Sequence, residues 1–265
     1  MTSNEATPNQ VIKSETIKSQ VITGMTVPWW KAAFGAHYET LYAHRDDASA
    51  AAEIAGLLPR LREAPGPILD ACCGNGRHLA ALRAAGLTAF GFDLSADLLR
   101  SGNQRESCRE RMLRCDMRLP AVCGGWGAVL VLFTAFGYFD DETNAACLAT
   151  FAQLLAPGGF LVLDLPDPQT VKQKLIPRTE RVTSAGHVIE ERAIRQKRVE
   201  KTVTVSHDGV VVQTYRESVR LYERSEFTAC AEQAAMRITD VWPSLRGPKI
   251  DEQRQVFWLK RSSFT

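Results

Sequence analysis

Two kinds of hydrophobic pattern alternate along the chain. Apolar residues form short continuous runs, typical of buried strands, at 67–72, 88–94, 112–117, 127–133 and 160–166. The segments between these runs place apolar residues at helical spacing, which predicts helices at 77–86, 96–106 and 142–155. Strands that alternate with helices are typical of a parallel sheet that carries helices on both faces. The pattern therefore predicts an α/β fold with a doubly wound, mainly parallel sheet.

A different pattern flanks this alternating core on both sides. Residues 29–61 show helical spacing and predict two helices ahead of the first strand. After Pro168 the pattern changes to strand-like alternation, which predicts an inserted antiparallel β segment at 169–222 with a hairpin turn at 207–209. The charged residues at 190–201 are interpreted as the solvated face of that segment.

The end of the chain adds further elements to the same sheet. We expect a helix at 224–235, followed by strands near 238–242 and 255–260. With the five core runs, these strands predict a Rossmann-like, seven-stranded, mainly parallel sheet. The whole would form a single domain at 27–265, after a polar N-terminal tail at 1–26 that we expect to be disordered.

Composition and charge narrow the function classes. The 32 Lys and Arg residues nearly balance 30 Asp and Glu residues, so the net charge of +2 gives no general attraction to nucleic acid or membranes. No apolar run approaches the roughly 18 residues that span a bilayer, and the N-terminus lacks the apolar core of a signal peptide. The seven cysteines include no C-x-x-C pair, so we expect reduced thiols, no metal site and a cytoplasmic protein.

The stretch ILDACCGNGRHLAAL at 68–82 carries the first functional signal, because glycines separate the first strand from the next helix. Glycine is retained where the backbone turns tightly or a ligand approaches closely. Open α/β sheets bind ligands at such turns. Leu79 replaces the third glycine of a dinucleotide fingerprint, which argues against NAD. Asp93 ends the next strand, where a carboxylate can accept the ribose hydroxyls of an adenosine ligand.

These motifs resemble a known family, the class I S-adenosylmethionine-dependent methyltransferases of the small-molecule type. The pattern of that family runs LD-x-x-CG-x-GRH, G-x-DLS, D-MR-LP, an FTSFGYF-like segment and L-x-PGG. This chain has LDACCGNGRH, GFDLS, CDMRLP, LFTAFGYFDD and LLAPGGFLVLD in the same order. A weaker similarity continues in VRLYERSEFTACAEQAAM, where the usual glycine after the helix is replaced around Met236. The resemblance implies S-adenosyl-L-methionine as the cofactor and methyl transfer as the reaction.

The resemblance also implies a set of cofactor-binding residues. They are Tyr38, Asp70, Cys72, Gly74, Gly76, Asp93, Leu94, Asp116, Met117, Leu132 and Phe133. Within this set, Asp70 would lie at the methionyl end, Asp93 at the ribose and Asp116 at the adenine. Structural alternatives stay open, because Asp70 or Asp93 could instead cap a helix and Cys72 could be a small core residue.

The predicted domain divides into parts with different roles. They are lid helices at 27–62, a cofactor-binding core at 63–168, a substrate-side β insert at 169–222, and a helix and strands at 223–265 that complete the sheet. Tyr38 would fold over the cofactor as part of the lid.

Aromatic residues predict the acceptor pocket. They are Trp30, Phe136, Tyr138 and Phe139, with the β insert as a roof on the other side. A closed aromatic pocket of this kind suits desolvation of one amine or hydroxyl group. A dedicated base is optional, and the candidates are Tyr138, His187 and His207, whereas His78 is interpreted as a packed histidine.

Three function classes remain open at this point. The motif order favours methyl transfer to nitrogen or oxygen of a small-molecule acceptor, by proximity and desolvation. A methyltransferase acting on RNA or protein would use the same cofactor, but no basic groove with interleaved aromatic residues stands out. A non-catalytic nucleoside-binding protein or an NAD-dependent Rossmann-like protein is the second alternative. We expect no DNA or membrane partner, and the sequence does not specify an oligomeric state.

Overall fold

The computed structural model describes residues 28–35, 38–42 and 45–262. The tail that the sequence predicts to be disordered, at 1–26, lies outside the described residues.

The described N-terminal part contains three helices, where the sequence predicted two. They are α1 (Trp29–Ala33), α2 (Tyr38–Leu41) and α3 (Asp47–Leu61). The carboxylate of Asp46 caps α3 by accepting a hydrogen bond from the Ser49 N–H at 2.8 Å. Helix α3 corresponds to the second predicted helix, whereas the region of the first contains two short helices, α1 and α2.

The core elements follow in the predicted order. They are β1 (Ile68–Ala71), α4 (Arg77–Ala84), β2 (Ala89–Asp93), α5 (Ala96–Gly102), β3 (Met112–Arg114), β4 (Trp126–Val131), α6 (Asp141–Leu154) and β5 (Leu155–Pro166). Helix α5 is shorter than the predicted 96–106, because a separate 3-10 turn forms at Glu106–Cys108. Strand β3 ends at Arg114, so residues 115–117 of the predicted strand lie in the following loop.

A second sheet forms in the region predicted as the β insert. Its elements are α7 (Pro168–Lys174), β6 (Arg178–Thr183), β7 (Gly186–Arg195), β8 (Arg198–His207) and β9 (Val210–Arg220). The four strands pair antiparallel with their neighbours in chain order. Asp208 and Gly209 join β8 to β9 with φ of 48° and 79°, the left-handed pair that a tight hairpin requires. The sequence pattern did not predict the short helix α7.

The charged segment at 190–201 is not simply a solvated face. Glu190 is only 3% exposed and forms ion pairs with Arg181 and Arg192. A hydrophobic cluster joins the lid to this sheet through Ala33, Leu41, Tyr42, Ala185, Val188, Val203, Val205 and Tyr215. The interpretation of this segment is therefore wrong at Glu190, whose burial is compensated by two guanidinium groups.

The remaining elements are α8 (Arg224–Gln233), β10 (Met236–Trp242) and β11 (Arg254–Arg261). Ala235, between α8 and β10, has a φ of 54°, so alanine adopts the left-handed conformation that usually favours glycine. Among the helices of the described ranges, none combines the length and the apolar character that spanning a membrane requires.

The order of the seven-stranded sheet is β10-β11-β5-β4-β1-β2-β3. Strands β1 to β5 run parallel, whereas β10 and β11 are antiparallel to their neighbours. The predicted seven-stranded, mainly parallel sheet is thus confirmed. Strand β1 lies between β4 and β2, which makes this the point where the strand order reverses. The loops that follow β1, β2 and β4 meet there and form a crevice for a ligand.

Candidate active site

The loop between β1 and α4 contains three residues in the left-handed region. Cys72, Gly74 and Gly76 have φ of 63°, 56° and 73°. A Cβ on Gly76 would lie 3.0 Å from the sulfur atoms of Cys108 and Met112, so close packing and the left-handed φ explain this glycine without a ligand. A Cβ on Gly74 would meet no atom closer than 3.7 Å. Space for a ligand therefore lies beside Gly74.

Asp93 ties this loop to the end of β2. Its Oδ2 accepts a hydrogen bond from the Gly74 N–H at 2.8 Å, and its Oδ1 accepts from the Ser95 N–H at 2.8 Å. Burial raises the pKa of Asp93, although these bonds oppose the shift. The cap of α5 is Ser95, whose hydroxyl accepts from the Leu98 N–H at 3.2 Å. Because each carboxylate oxygen has a further lone pair, a ribose diol could share Asp93 with the loop.

Asp70, in β1, is a buried carboxyl group that is only partly hydrogen-bonded. It is 2% exposed, and its Oδ2 has no hydrogen-bond partner within the described ranges. Burial raises the pKa of Asp70 to about 7, with Arg77 acting against the shift and Asp93 adding to it. A buried oxygen of this kind is costly unless a ligand supplies a donor. Asp70 therefore suits a cationic group such as an ammonium.

The loop after β3 forms another side of the site. Asp116 accepts hydrogen bonds from the Arg118 main chain at 3.0 Å and from its guanidinium at 3.0 and 2.6 Å. The hydrogen bond from the Arg118 side chain lowers the pKa of Asp116. Trp30 and Phe139 meet edge to face with ring centroids 4.9 Å apart, and the Arg118 guanidinium lies 5.7 and 5.1 Å from them. Asp116 thus has an intramolecular partner that the sequence analysis did not foresee.

Direct hydrogen bonds hold the lid against this site. The Ser95 hydroxyl donates to the Phe34 carbonyl at 2.6 Å. The Glu39 carboxylate accepts from the Asn75 side-chain amide at 2.6 Å and from the Ser101 hydroxyl at 3.0 Å. The lid is therefore attached to the glycine loop and to α5.

Two lid residues, Glu39 and Arg45, belong to the site although the sequence analysis did not select them. The Arg45 guanidinium donates to the Tyr38 hydroxyl at 2.5 Å and lies 4.4 Å from the Tyr42 ring centroid. In the sequence, the only indication of a role for Glu39 or Arg45 is that each is a charged residue near Tyr38, which was predicted to belong to the lid.

We call the cavity that these residues enclose the chamber, and its volume is about 290 Å³. The predicted cofactor residues that line it are Tyr38, Asp70, Cys72, Gly74, Asp93, Leu94, Asp116, Met117, Leu132 and Phe133. Gly76, also in the predicted set, lies outside this lining. Local sequence motifs thus located most of one cavity.

A second cavity, the cleft, opens between the lid and the four-stranded sheet. It adjoins the chamber, because one set of residues belongs to both linings. We call this set the shared rim: Phe34, Tyr38, Tyr42, Arg45, Phe133 and Tyr138. The cleft is completed by residues of α7 and of the four-stranded sheet, including Thr170, Thr179 and Glu217.

The structure separates the four aromatic residues that were predicted to form one acceptor pocket. Tyr138 belongs to the shared rim, and its ring centroid lies 4.8 Å from that of Trp29, which lines the cleft. Trp30 and Phe139 line the chamber and not the cleft. Phe136 is 1% exposed and packs in the hydrophobic core. Successive side chains of the loop between β4 and α6 point in different directions, so neighbouring aromatic rings lie in different surroundings.

The three candidate bases also lie apart. His187 and His207 are on the four-stranded sheet and line neither cavity. Burial raises the pKa of Tyr138 well above its ordinary value, so this phenol keeps its proton at neutral pH. His78 lines the chamber, where its Nε2 lies 2.6 Å from a carboxylate oxygen of Glu53 and burial lowers its pKa.

Comparison with known proteins agrees with this geometry. A family model described as a methyltransferase domain matches residues 68–159. The chain is 28% identical over 222 residues to the dTDP-3-amino-3,4,6-trideoxy-alpha-D-glucopyranose N,N-dimethyltransferase of Streptomyces venezuelae, which covers 79% of this chain and 93% of that protein. It is 31% identical over 116 residues to the dTDP-3-amino-3,6-dideoxy-alpha-D-glucopyranose N,N-dimethyltransferase of Streptomyces fradiae, which covers 43% of this chain and 45% of that protein.

A solved structure gives the same fold. The S-adenosylmethionine-bound amino pentose methyltransferase CalS10 of Micromonospora echinaspora superposes with a TM-score of 0.62 at 24% identity. The superposition covers 85% of this chain and 96% of CalS10. The superposed part of the chain is therefore larger than the segment that the family model matches.

The residues that line the chamber fit S-adenosyl-L-methionine. The unpartnered oxygen of Asp70 suits its ammonium group, the space beside Gly74 admits a ligand next to the loop, and Asp93 offers acceptors to a ribose. The match to a methyltransferase domain and the two curated N,N-dimethyltransferase relatives show that the chain is a methyltransferase that uses S-adenosyl-L-methionine as its cofactor.

Proposed function

We propose that this enzyme methylates the amino nitrogen of a small, amino-sugar-like acceptor bound in the cleft. The observation that carries the proposal is the shared rim, which makes the chamber and the cleft adjoin. An acceptor held between Tyr138 and the four-stranded sheet would reach the end of the chamber beside Phe133. Aromatic residues at that junction favour exclusion of water.

The relatives support an amine as the acceptor. Both curated relatives are named as N,N-dimethyltransferases of amino sugars linked to dTDP. The match to the Streptomyces venezuelae protein covers 93% of that protein and 79% of this chain. Nitrogen is therefore preferred over oxygen as the methyl acceptor.

The chamber residues take the roles that the sequence resemblance implies. We assign Asp70 to the ammonium group of the cofactor, Asp93 to its ribose, and Asp116 with Met117 to its adenine. When bound, S-adenosyl-L-methionine supplies a methyl group already activated by its sulfonium. The chain then has to align the two reactants and exclude water, which accounts for the lack of a required base.

The charges in the cleft favour a neutral amine. The cationic side chains that line it are Arg45, Lys174, Arg192, Lys201 and Arg254. A cationic environment lowers the pKa of a bound amine, because a second positive charge is disfavoured there. Glu217 also lines the cleft and pairs with Lys201 at 2.8 Å, while Arg192 and Arg254 pair with Glu190 and Asp164. The excess positive charge therefore comes from Arg45 and Lys174, which form no ion pair with another described residue. The neutral amine would attack with its lone pair, and the proton of the resulting ammonium would then pass to water.

The parts of the domain take corresponding roles in this proposal. Residues 27–62 act as the lid, 63–168 hold the cofactor, 169–222 form the acceptor side, and 223–265 complete the sheet. The lid carries four of the six residues of the shared rim, which are Phe34, Tyr38, Tyr42 and Arg45.

A matched pair of acceptors tests the proposal. The enzyme is incubated with S-adenosyl-L-methionine labelled with ¹³C in the methyl group and with dTDP-3-amino-3,6-dideoxyglucose or its 3-hydroxy counterpart. Mass spectrometry and NMR should show one or two methyl groups on the amino nitrogen, and the amine should react at least about a hundredfold faster than the alcohol. Equal labelling of the hydroxyl compound would refute nitrogen specificity. Labelling of RNA or protein, with every small amine inert, would overturn the small-acceptor proposal.

A further inference from the structure

The chain after β4 contains two consecutive residues in the left-handed region, and neither is glycine. Phe133 has a φ of 60° and Thr134 a φ of 63°. This conformation is disfavoured for bulky and β-branched side chains, and it persists only where the surroundings enforce it. Both residues lie at the carboxyl end of a central strand, beside the chamber and the cleft.

A buried ion pair enforces the conformation. Asp164 in β5 is fully buried, and its Oδ2 accepts from the Phe133 N–H at 2.8 Å. The Thr134 N–H donates to the Asp164 carbonyl at 3.2 Å. The Arg254 guanidinium donates to both Asp164 carboxylate oxygens, at 2.5 and 2.9 Å, and to the Thr134 hydroxyl at 2.8 Å. One carboxylate and one guanidinium thus bind both residues of the turn.

The turn places the Phe133 ring where the two cavities adjoin. The Arg77 guanidinium from α4 lies 4.5 Å from the ring centroid, and the Arg45 guanidinium from the lid lies 4.6 Å from it. Arg45 in turn donates to the Tyr38 hydroxyl. The Phe133 ring therefore contacts the lid through Arg45 and helix α4 through Arg77, in two cation–π contacts.

We propose that Asp164 and Arg254 are a positioning pair, which keeps the Phe133–Thr134 turn in its left-handed conformation and so sets the shape of the shared rim. Asp164 does not line either cavity, and it acts only through the turn and Arg254. Without the pair, the turn relaxes toward an ordinary φ and the Phe133 ring leaves its position between Arg45 and Arg77. The inference rests on the proposed cofactor site in the chamber. Its test measures cofactor binding, so the result does not depend on which acceptor the enzyme methylates.

The test uses binding of S-adenosylhomocysteine, measured by calorimetry on the full chain. Asp164→Asn should weaken binding about tenfold, because the turn loses its charged acceptor. Adding Thr134→Gly to this variant should bring the affinity back to within about threefold of the wild type, because glycine adopts a positive φ without steric cost. Adding Thr134→Ala should bring no recovery, although alanine removes the same hydroxyl.

The wild-type background supplies the control. With the pair intact, Thr134→Gly and Thr134→Ala should bind S-adenosylhomocysteine within about twofold of each other, because the conformation is already enforced. If Asp164→Asn does not give native circular dichroism, the same comparison is made in Arg254→Met, where the removed side chain is 26% exposed. Equal recovery by alanine and glycine would overturn the proposal, as would unchanged binding in a folded Asp164→Asn or Arg254→Met variant.

Discussion

At the residue scale, the loop after β1 contains three residues in the left-handed backbone conformation, and only two of them are glycines. Gly74 and Gly76 are glycines, whereas Cys72 adopts a φ of 63° with a side chain. The close packing of this loop on β2 also depends on Gly91, where a Cβ would lie 2.8 Å from the Cys73 sulfur. The sequence could therefore locate the loop from its two glycines, but not the third left-handed position, which depends on packing.

Asp70 leads to a prediction about the pH dependence of cofactor binding. Its pKa of about 7 means that the carboxyl group is largely neutral at pH 6 and ionised at pH 8. If the carboxylate pairs with the ammonium of the ligand, affinity for S-adenosylhomocysteine should fall about tenfold from pH 8 to pH 6. Calorimetry at both pH values measures the change. Asp70→Asn should bind more weakly at pH 8 and show a flat profile, whereas an unchanged slope in this variant would contradict the assignment.

At the element scale, the four-stranded sheet shows what an alternating pattern can predict. Alternation located the β segment, and the turn at Asp208 and Gly209 joins β8 to β9 with positive φ at both residues. The same pattern could not tell which charged residues point inward. Glu190 is buried and Glu191 is exposed, because successive residues of a strand face opposite sides. The partners of Glu190 are Arg181 on the neighbouring strand and Arg192 on its own strand, and no local motif specifies them.

Glu190 leads to a prediction about stability. Burial acts to raise its pKa, but the Arg181 bond and the charges of Lys201 and Arg192 outweigh it and lower the pKa to about 2. A lowered pKa stabilises the fold above the unfolded value of about 4.5, and this contribution is lost as the pH falls toward 2. Glu190→Gln should therefore cost about 2 kcal/mol of unfolding free energy at pH 7 and reduce the loss of stability between pH 4.5 and 2.

Urea unfolding at several pH values measures both effects. Glu191→Gln provides the matched control on the same strand, because its ion pair with Arg178 lies in solvent and its side chain is 58% exposed. We expect the control to change the unfolding free energy by less than about 0.5 kcal/mol. An equal effect of the two variants would contradict a stabilising role for the buried carboxylate.

At the scale of the whole molecule, the site depends on contacts between distant parts of the chain. The order of strands and the chamber residues could be predicted because each motif lies within a few residues of a strand end. The Glu39 carboxylate accepts hydrogen bonds from Asn75 and Ser101, and the Asp164–Arg254 pair lies behind Phe133. These contacts join segments that no local pattern relates. The predicted acceptor pocket therefore combined two chamber residues, Trp30 and Phe139, with Tyr138 of the shared rim and Phe136 of the hydrophobic core.

Two neighbouring tryptophans test that division. Trp29 packs on Tyr138 and lines the cleft, whereas Trp30 packs on Phe139 and lines the chamber. Trp30→Leu should weaken S-adenosylhomocysteine binding about five- to tenfold, through loss of aromatic contact area. Trp29→Leu should leave that affinity within about twofold and raise KM for the amine acceptor by a similar five- to tenfold factor.

Calorimetry and steady-state kinetics on the same two preparations separate these effects, and each variant is the control for the other. The substitutions remove the same ring from adjacent positions of α1, so a general loss of lid stability would affect both ligands in both variants. If both variants instead changed the same parameter by the same factor, the chamber and the cleft would act as one binding site. If Trp30→Leu affects only S-adenosylhomocysteine binding and Trp29→Leu affects only KM for the acceptor, helix α1 directs one tryptophan toward the methyl donor and the other toward the acceptor.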